Sequence, residues 1–538
     1  MATTKPNPAA ARGSRAALLN TIIVAAGYFL SRVLGIIRDV IITARFGTSA
    51  EMDAYQAAFS IPDFLYLVVM GGALGSAFIP VFSRYLAEEQ RVEAWRLANA
   101  VLNLALLAMV ALCVLVAWQA DALIGLIFRD FPPEIHALTV DLLRLLLIQP
   151  VLLGLGGLAK ATLESFERFS LPALGSNLYN IGIIVGALLL APWLGVYGLV
   201  WGVIIGAVLF LLVQLPELWR IGFRYAPNFN LRNPGVLRIA WLMGPRVFGQ
   251  SAWQLGITIT AGIASTVAVG AVTANRLALQ LMMLPHGLIA LSLGTVIFPQ
   301  LSRAFAQNDI AEFRKGSLGA VRNVLFLALP AAVVLAVLRY PVIRLLFERG
   351  DFTASSTALT SQALLFYAVG LTTFAAAEII VRTYYAMQNT ITPVLVGVFT
   401  VFLNIMLAVV FVRDGWGIGG LSLAFSIAVT VEAVLLLLLL WWHWRTLDDF
   451  WSVCVRIVVA TLAFGGVLLL LLRVSQGWLP FLQPGATYTW PDDFLPLALW
   501  TGAALSVSGL VYLGVAWMLR LEEVNLFAAR LRRVLRRA

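Results

Sequence analysis

Apolar stretches about 20 residues long recur along the whole chain, and at 1.5 Å per residue each is long enough to cross the hydrocarbon of a bilayer as a helix. They predict about 14 spanning helices by their spacing, near 17–45, 53–82, 93–117, 137–163, 172–192, 196–219, 236–268, 272–302, 318–339, 355–385, 391–413, 416–444, 451–473 and 494–520. The fold class is therefore all-α and integral to a membrane, because lipid offers no partner to unpaired backbone groups. Of the 538 residues only 12% are charged, against about 25% in soluble domains, so no segment is polar enough to fold as a separate soluble domain. The net charge of +10 is spread over loops, which fits membrane topology and not a nucleic-acid surface.

Most Lys and Arg fall at helix ends that are cytoplasmic if the N-terminus is inside; Arg45, Arg129, Arg339, Arg344, Arg349, Arg413 and Arg473 fall in the opposite loops. An even number of spans then puts both termini in the cytoplasm. The first apolar run is too long, and too charged near its middle, for a cleaved signal peptide, and reads as an uncleaved span. Trp441, Trp442 and Trp444 end the twelfth span where an interfacial belt is expected. Cys113 and Cys454 both lie in apolar runs, so neither a disulfide nor a metal site is expected. Beyond Arg520, Val524, Phe527, Leu531, Val534 and Leu535 recur at helical spacing opposite an arginine-rich face, the pattern of a helix lying on an anionic leaflet or of a plain charged tail.

The chain also repeats itself. Gly75-Ser76-Ala77-Phe78-Ile79-Pro80-Val81-Phe82-Ser83-Arg84 matches Gly294-Thr295-Val296-Ile297-Phe298-Pro299-Gln300-Leu301-Ser302-Arg303, and Leu171-Pro172-Ala173-Leu174 answers Thr392-Pro393-Val394-Leu395 at nearly the same offset. Both copies end on the cytoplasmic side, which predicts two parallel, pseudo-symmetric six-helix lobes with a site between them. The expected organisation is a cytoplasmic tail (1–16), an N-lobe (17–219), a linker (220–235), a C-lobe (236–445), a final helix pair (446–520) and the basic tail (521–538).

Charge inside a span is the informative departure from this pattern. The first run holds Ser31-Arg32-Val33-Leu34-Gly35-Ile36-Ile37-Arg38-Asp39, and each such charge costs about 2.5–3.5 kcal/mol to insert unless it meets partners or a wet cavity. Arg32 and Asp39 are seven apart and share a helix face. Asp53 opens the second span as a cap or a functional acid, and Asp63 follows Pro62, where a kink is expected. In the second half, Arg276 and Gln280 share a face, Glu378 and Arg382 are spaced to pair, and Glu432 has no local partner. Guanidinium groups stay charged when desolvated and bind phosphate bidentately. A cavity lined by Arg32, Arg38 and Arg276 thus suits an anionic headgroup, particularly a pyrophosphate, while an internal Arg–Asp pair that only holds helices together is the structural alternative. No metalloprotease, nucleophile-elbow or nucleotide-loop motif is present. The chain reads as a transporter without cofactor or metal, coupled to an ion gradient or to the membrane potential.

At these residues the sequence resembles the lipid II flippase family of the multidrug/oligosaccharidyl-lipid/polysaccharide exporter superfamily. The resemblance runs from Ser31-Arg32-Val33-Leu34-Gly35 and Arg38-Asp39 through Asp53-Ala54, Pro62, Ala77-Phe78-Ile79-Pro80, Arg168 to Ala173, Met243-Gly244-Pro245, Leu293-Gly294-Thr295, Gly350-Asp351-Phe352-Thr353 and Tyr385 to Pro393. It implies 14 helices, two six-helix lobes, and a last pair that helps form a groove for a lipid tail. It also implies export of undecaprenyl-pyrophosphate-linked peptidoglycan precursor across the bacterial inner membrane. Carried over, Arg32, Arg38 and Asp39 would hold the headgroup and Asp53 would be the functional acid of the second helix. This chain departs from the family at Tyr66, Gly71 and Leu279-Gln280, where Arg276 would substitute for a family arginine one turn away. The expected mechanism is alternating access by a monomer among membrane lipids, with bending at Gly35, Pro62 and Pro285 and gating or coupling by Glu378, Arg382 and Glu432. Other exporters of the superfamily, a non-transporting scaffold and a membrane glycosyl- or phosphotransferase are the alternatives.

Overall fold

The computed structural model describes residues 8–70, 73–444, 450–486 and 488–524, without the side chains of 8–25, 28, 73–76, 245, 246, 248 and 443. The amphipathic tail beyond residue 524, Gly71 and the Arg246 side chain lie outside the described residues. Every regular element among the described residues is helical. The chain divides into two compact units: residues up to Phe46 with Ala50–Thr258, and Gly47–Ser49 with Ile259 onward.

The first unit comprises α1 (Pro8–Phe46), α2 (Ala50–Val69), α3 (Ala73–Ala87), α4 (Arg91–Trp118), α5 (Ala120–Ile127), α6 (Pro133–Leu146), α7 (Ile148–Ser165), α8 (Ser170–Val185), α9 (Ala191–Leu194), α10 (Val196–Leu212), α11 (Leu215–Arg220) and the greater part of α12 (Pro234–Ser265). Helix α8 lies between α1 and α10. Its approach to α10 depends on glycine: a Cβ on Gly182 would come within 2.3 Å of the Gly206 Cα, the small-residue contact that lets membrane helices pack backbone to backbone. The expected linker is pinned to α4. Asn99 donates to the Arg224 carbonyl and accepts from the Ala226 amide, both at 3.0 Å, and Asn103 donates to the carbonyls of Ala226 and Asn228 at 3.1 and 3.2 Å. Buried asparagines here replace the hydrogen bonds that an extended segment would otherwise lack.

The second unit is built round α17 (Ala354–Ala386), which packs against α13 (Ala271–His286), α14 (Ser292–Ala306), α15 (Ile310–Val337), α16 (Arg339–Leu346) and α19 (Gly417–Trp444). Helix α18 (Ile391–Arg413) covers α19, and α20 (Phe450–Gln476) pairs with α21 (Phe494–Met518). Small residues on α17 admit these neighbours: a Cβ on Gly370 would meet the Ser426 Oγ of α19 at 2.5 Å. The last pair is tied to the unit by the Tyr512 hydroxyl, which donates to the Phe326 carbonyl on α15 at 2.6 Å. A 28-residue helix followed by an 8-residue helix occurs as α4–α5 and again as α15–α16.

Eleven helices among the described residues are long and apolar enough to cross a membrane, which makes this a multi-pass membrane protein. The first, second and seventh expected spans are also helical, as α1, α2–α3 and α12, and are not among the eleven. The described part of the 53–82 segment is helical, as α2, which continues through Pro62 to Val69, and as α3 from Ala73 to Ala87. One expectation is corrected. Arg344 was expected in an aqueous loop, yet it sits in α16 with 1% of its surface exposed.

Candidate functional site

The signature in α1 is organised by its neighbour α8. Arg38 donates from Nε to Asp39 Oδ1 at 2.9 Å, its Nη2 lies 2.9 Å from the same oxygen, and Nη1 donates to Asn180 Oδ1 at 3.1 Å. The Asn180 amide nitrogen in turn donates to the Ser31 carbonyl and hydroxyl, at 3.3 Å each, and to the Ser176 carbonyl at 3.2 Å. Asn180 thereby fixes both α1 and the arginine on it. Tyr55 and Tyr179 lie within electrostatic reach of Arg38, and Tyr179 accepts a bond from Gln149 Nε2 at 3.2 Å. The Arg38 and Asp39 side chains keep 23% and 13% of their surface exposed. A guanidinium has five N–H donors, and these three contacts leave Arg38 with capacity for an anion.

The remaining expected residues are distributed as follows. Arg32 is exposed on α1 and makes no hydrogen bond or ion pair among the described residues; Asp39 is held by Arg38 instead of by the residue that shares its face. The reach of the Arg38 side chain overrides the angular offset between adjacent residues. Gly35 lies within an uninterrupted α1, its would-be Cβ position 4.0 Å from Asn180 Oδ1. Asp53 is buried in the first turn of α2, and Pro62 is buried farther along it. On α13, Arg276 is exposed and Gln280 half-buried. Pro285 stands at the end of α13, directly before a π-helical turn at Gly287–Leu291, consistent with the local distortion that proline causes. Glu378 and Arg382 do pair, with Nε and Nη2 at 3.0 and 2.9 Å from Glu378 Oε1. Arg382 also reaches Thr295 on α14 at 3.4 Å. Glu432 is half-buried on α19, within electrostatic reach of Glu378.

Asn180 is the residue that the sequence reading passed over. Its signal was a pair of asparagines, Asn177 and Asn180, in the apolar fifth span.

A second arginine is more fully satisfied. Arg344 donates from Nε to Glu348 Oε2 at 3.2 Å, from Nη1 to the carbonyls of Phe481 and Gln483, and from Nη2 to the Ala486 carbonyl at 2.9 Å. Thr357 donates to the same Glu348 oxygen at 2.6 Å. Nearby, Arg349 stacks over the Trp490 ring at 4.2 Å, and burial pushes the Tyr488 phenol above its ordinary range although Arg349 pulls it down. These contacts fasten the α20–α21 connection to α16.

Comparison with known proteins matches this architecture. A family profile described as "Lipid II flippase MurJ" matches residues 42–487, beginning just after Asp39. The chain is 31% identical to the lipid II flippase MurJ of Burkholderia cenocepacia over 78% of its own length and 83% of that protein. It is 30% identical to the probable lipid II flippase MurJ of Vibrio cholerae over 94% of its length and 95% of that protein. A solved lipid II flippase MurJ in an inward closed conformation superposes with a TM-score of 0.73 at 26% identity, covering 91% of this chain and 98% of that one. An inward-facing multidrug resistance MATE transporter of the MOP superfamily superposes at 0.67 with 16% identity, covering 80% and 99%, a likeness of fold alone. The chain belongs to the lipid II flippase MurJ family.

Proposed function

We propose that this protein is an alternating-access lipid II flippase, a transporter and not an enzyme, that exports undecaprenyl-pyrophosphate-linked peptidoglycan precursor. Family membership supports the substrate class, and the single observation that supports a site is the partly exposed Arg38 guanidinium, locked by Asp39 and Asn180 with donors to spare. In this reading Arg38, with the exposed Arg32, takes the pyrophosphate by charge-assisted, bidentate bonds. Asp39 neutralises the site between substrates, and Asn180 aims the guanidinium. Asp53 on α2, and Arg276 with Gln280 on α13, are proposed as further substrate contacts, each within its own unit. All 14 expected helices cross the inner membrane, in two six-helix lobes and a final pair, α20–α21, that guides the lipid tail. Both termini are cytoplasmic and the working form is a monomer.

Bending at Gly35, Pro62 and Pro285 accompanies the cycle. The membrane potential, worth about 2.3 kcal/mol per charge per 100 mV, drives the anion outward when the inside is negative. The experiment is lipid II export in cells whose only flippase is this chain. Export by the wild-type chain and failure with Arg38→Ala at equal membrane abundance are expected. Unimpaired export by Arg38→Ala removes the residue from the mechanism, and rescue of a polysaccharide-lipid flippase mutant in place of a lipid II flippase mutant reassigns the substrate.

A further inference from the structure

The linker that follows α11 closes one side of a cavity in the first unit. The cavity has a volume of about 150 Å³ and is partly open to the outside. Its walls include Leu102 of α4, Leu158, Ala159 and Thr162 of α7, Leu218 of α11 and the Phe223 ring of the linker. Thr162 brings the one hydroxyl of the lining, and its Oγ1 is spent on the Leu158 carbonyl at 2.8 Å. The lining is therefore apolar throughout. A cavity of about 150 Å³ walled by aliphatic and aromatic side chains stays dry and takes a hydrocarbon the size of benzene.

The linker wall is fixed. Phe223 packs edge-on to Trp95 with ring centroids 5.7 Å apart, and Trp95 stacks on Phe166 at the same distance. The Phe223 amide donates to the Leu218 carbonyl at 3.0 Å, and the next carbonyl, that of Arg224, accepts from Asn99. Close-packed interiors hold few voids larger than a water molecule, so one of this size behind a fixed wall calls for an occupant.

Depth and charge say which. The lining residues of α7 run from Leu155 to Thr162, about 15 Å to about 5 Å from the end of that helix at Ser165. One leaflet supplies about half of a hydrocarbon core about 30 Å thick, so the cavity lies at the depth of the upper part of an acyl chain. The neighbouring helix ends are basic: residues 91–96, 160–168 and 217–224 hold six Lys or Arg against four Glu. Glu217 is shared by Arg168 and Arg220, at 3.6 and 3.3 Å. Arg224 is exposed, and its side chain makes no hydrogen bond or ion pair among the described residues. Trp219 and Tyr225, residue types that settle at headgroup level, are exposed on either side of Phe223 in the sequence.

We propose that this cavity holds the upper part of one acyl chain of an anionic glycerophospholipid, with the lipid phosphate met by Arg220 and Arg224. The two positive charges in excess select an anionic headgroup over a zwitterionic one. A seated chain keeps Leu218 and Phe223 against α4 and α7, so the lipid fastens the linker to the first unit. In the topology proposed above this lipid belongs to the cytoplasmic leaflet; its binding does not depend on the flippase reading.

The test uses the full chain in phosphatidylcholine nanodiscs doped with phosphatidylglycerol that carries a diazirine near the ester end of one acyl chain. After illumination, adducts are located by peptide mass spectrometry. They are expected on the peptides containing residues 98–102, 155–162 and 211–223. Ala159→Leu and Leu102→Trp, which fill the cavity from α7 and from α4, should each remove these adducts and leave adducts elsewhere on the chain unchanged. Adducts missing from those peptides in the wild type, or undiminished in both filling variants, overturn the site.

Unlabelled phosphatidylglycerol should compete better than phosphatidylcholine by about fivefold or more, and Arg220→Gln with Arg224→Gln should erase most of that preference. Equal competition by the two phospholipids, or a preference untouched in the double variant, overturns the anionic assignment. Displacement of the probe by lipid II more readily than by phosphatidylglycerol overturns the proposal and gives the cavity to the polyprenyl-linked substrate.

Discussion

Arg344 and Arg38 are both arginines paired with a carboxylate, and their surroundings separate two uses of the same chemistry. Arg344 is 1% exposed, and four of its donor contacts are met by Glu348 and by backbone carbonyls of Phe481, Gln483 and Ala486. At 1% exposure its one remaining N–H is closed to a ligand, so the guanidinium acts as a rivet for the connection before α21. Arg38 is 23% exposed on its side chain and is held by two side chains of fixed geometry. Burial alone therefore does not mark a working arginine. Orientation by neighbours combined with unspent donors does.

The comparison can be broken in order of expected effect. Arg344→Ala should destabilise the protein by about 3–5 kcal/mol, because it strands Glu348 in a buried setting. Thermal unfolding in detergent measures this, and Arg344→Met combined with Glu348→Leu should recover most of the loss. Arg38→Ala should destabilise less than Arg344→Ala, because Asp39 keeps 13% of its surface exposed, but weaken lipid II binding by about 1.5–3 kcal/mol, roughly 10- to 100-fold, the range for hydrogen bonds to charged groups. A large melting shift in Arg38→Ala with intact binding would make that pair structural as well. Asn180→Ala removes one neutral acceptor and the α8 bonds to Ser31, and should cost about 1 kcal/mol in binding, about fivefold. Arg32→Ala should change stability by no more than about 0.5 kcal/mol, as an exposed substitution does, while lowering the export rate measurably.

Much of the fold was legible because apolar runs of spanning length leave few alternatives to helix. Expected spans such as 391–413 and 416–444 coincide closely with α18 and α19. The Glu378–Arg382 pair was legible for a similar reason, since spacing on a helix fixes which side chains can meet. The course of the chain at Pro62 was less so: proline is a strong local signal for a break, yet α2 runs on past it to Val69. Arg344 was misplaced because a short amphipathic helix beside an aqueous boundary looks like a loop in a hydropathy pattern. Its partners are backbone carbonyls, more than 100 residues away, that no motif advertises. Asn180 escaped attention because neutral polar residues are common at helix contacts in membranes. Only the partner helix reveals that this one holds the signature arginine.

The most direct measurement is the affinity of the purified, full-length protein for lipid II, compared among the wild-type chain, Arg38→Ala and the Arg344→Met, Glu348→Leu double variant at matched folded fractions. The account predicts that the Arg38 variant loses about 10- to 100-fold while the double variant binds as the wild type does. Equal affinity in the Arg38 variant, or a comparable loss in the double variant, would contradict it.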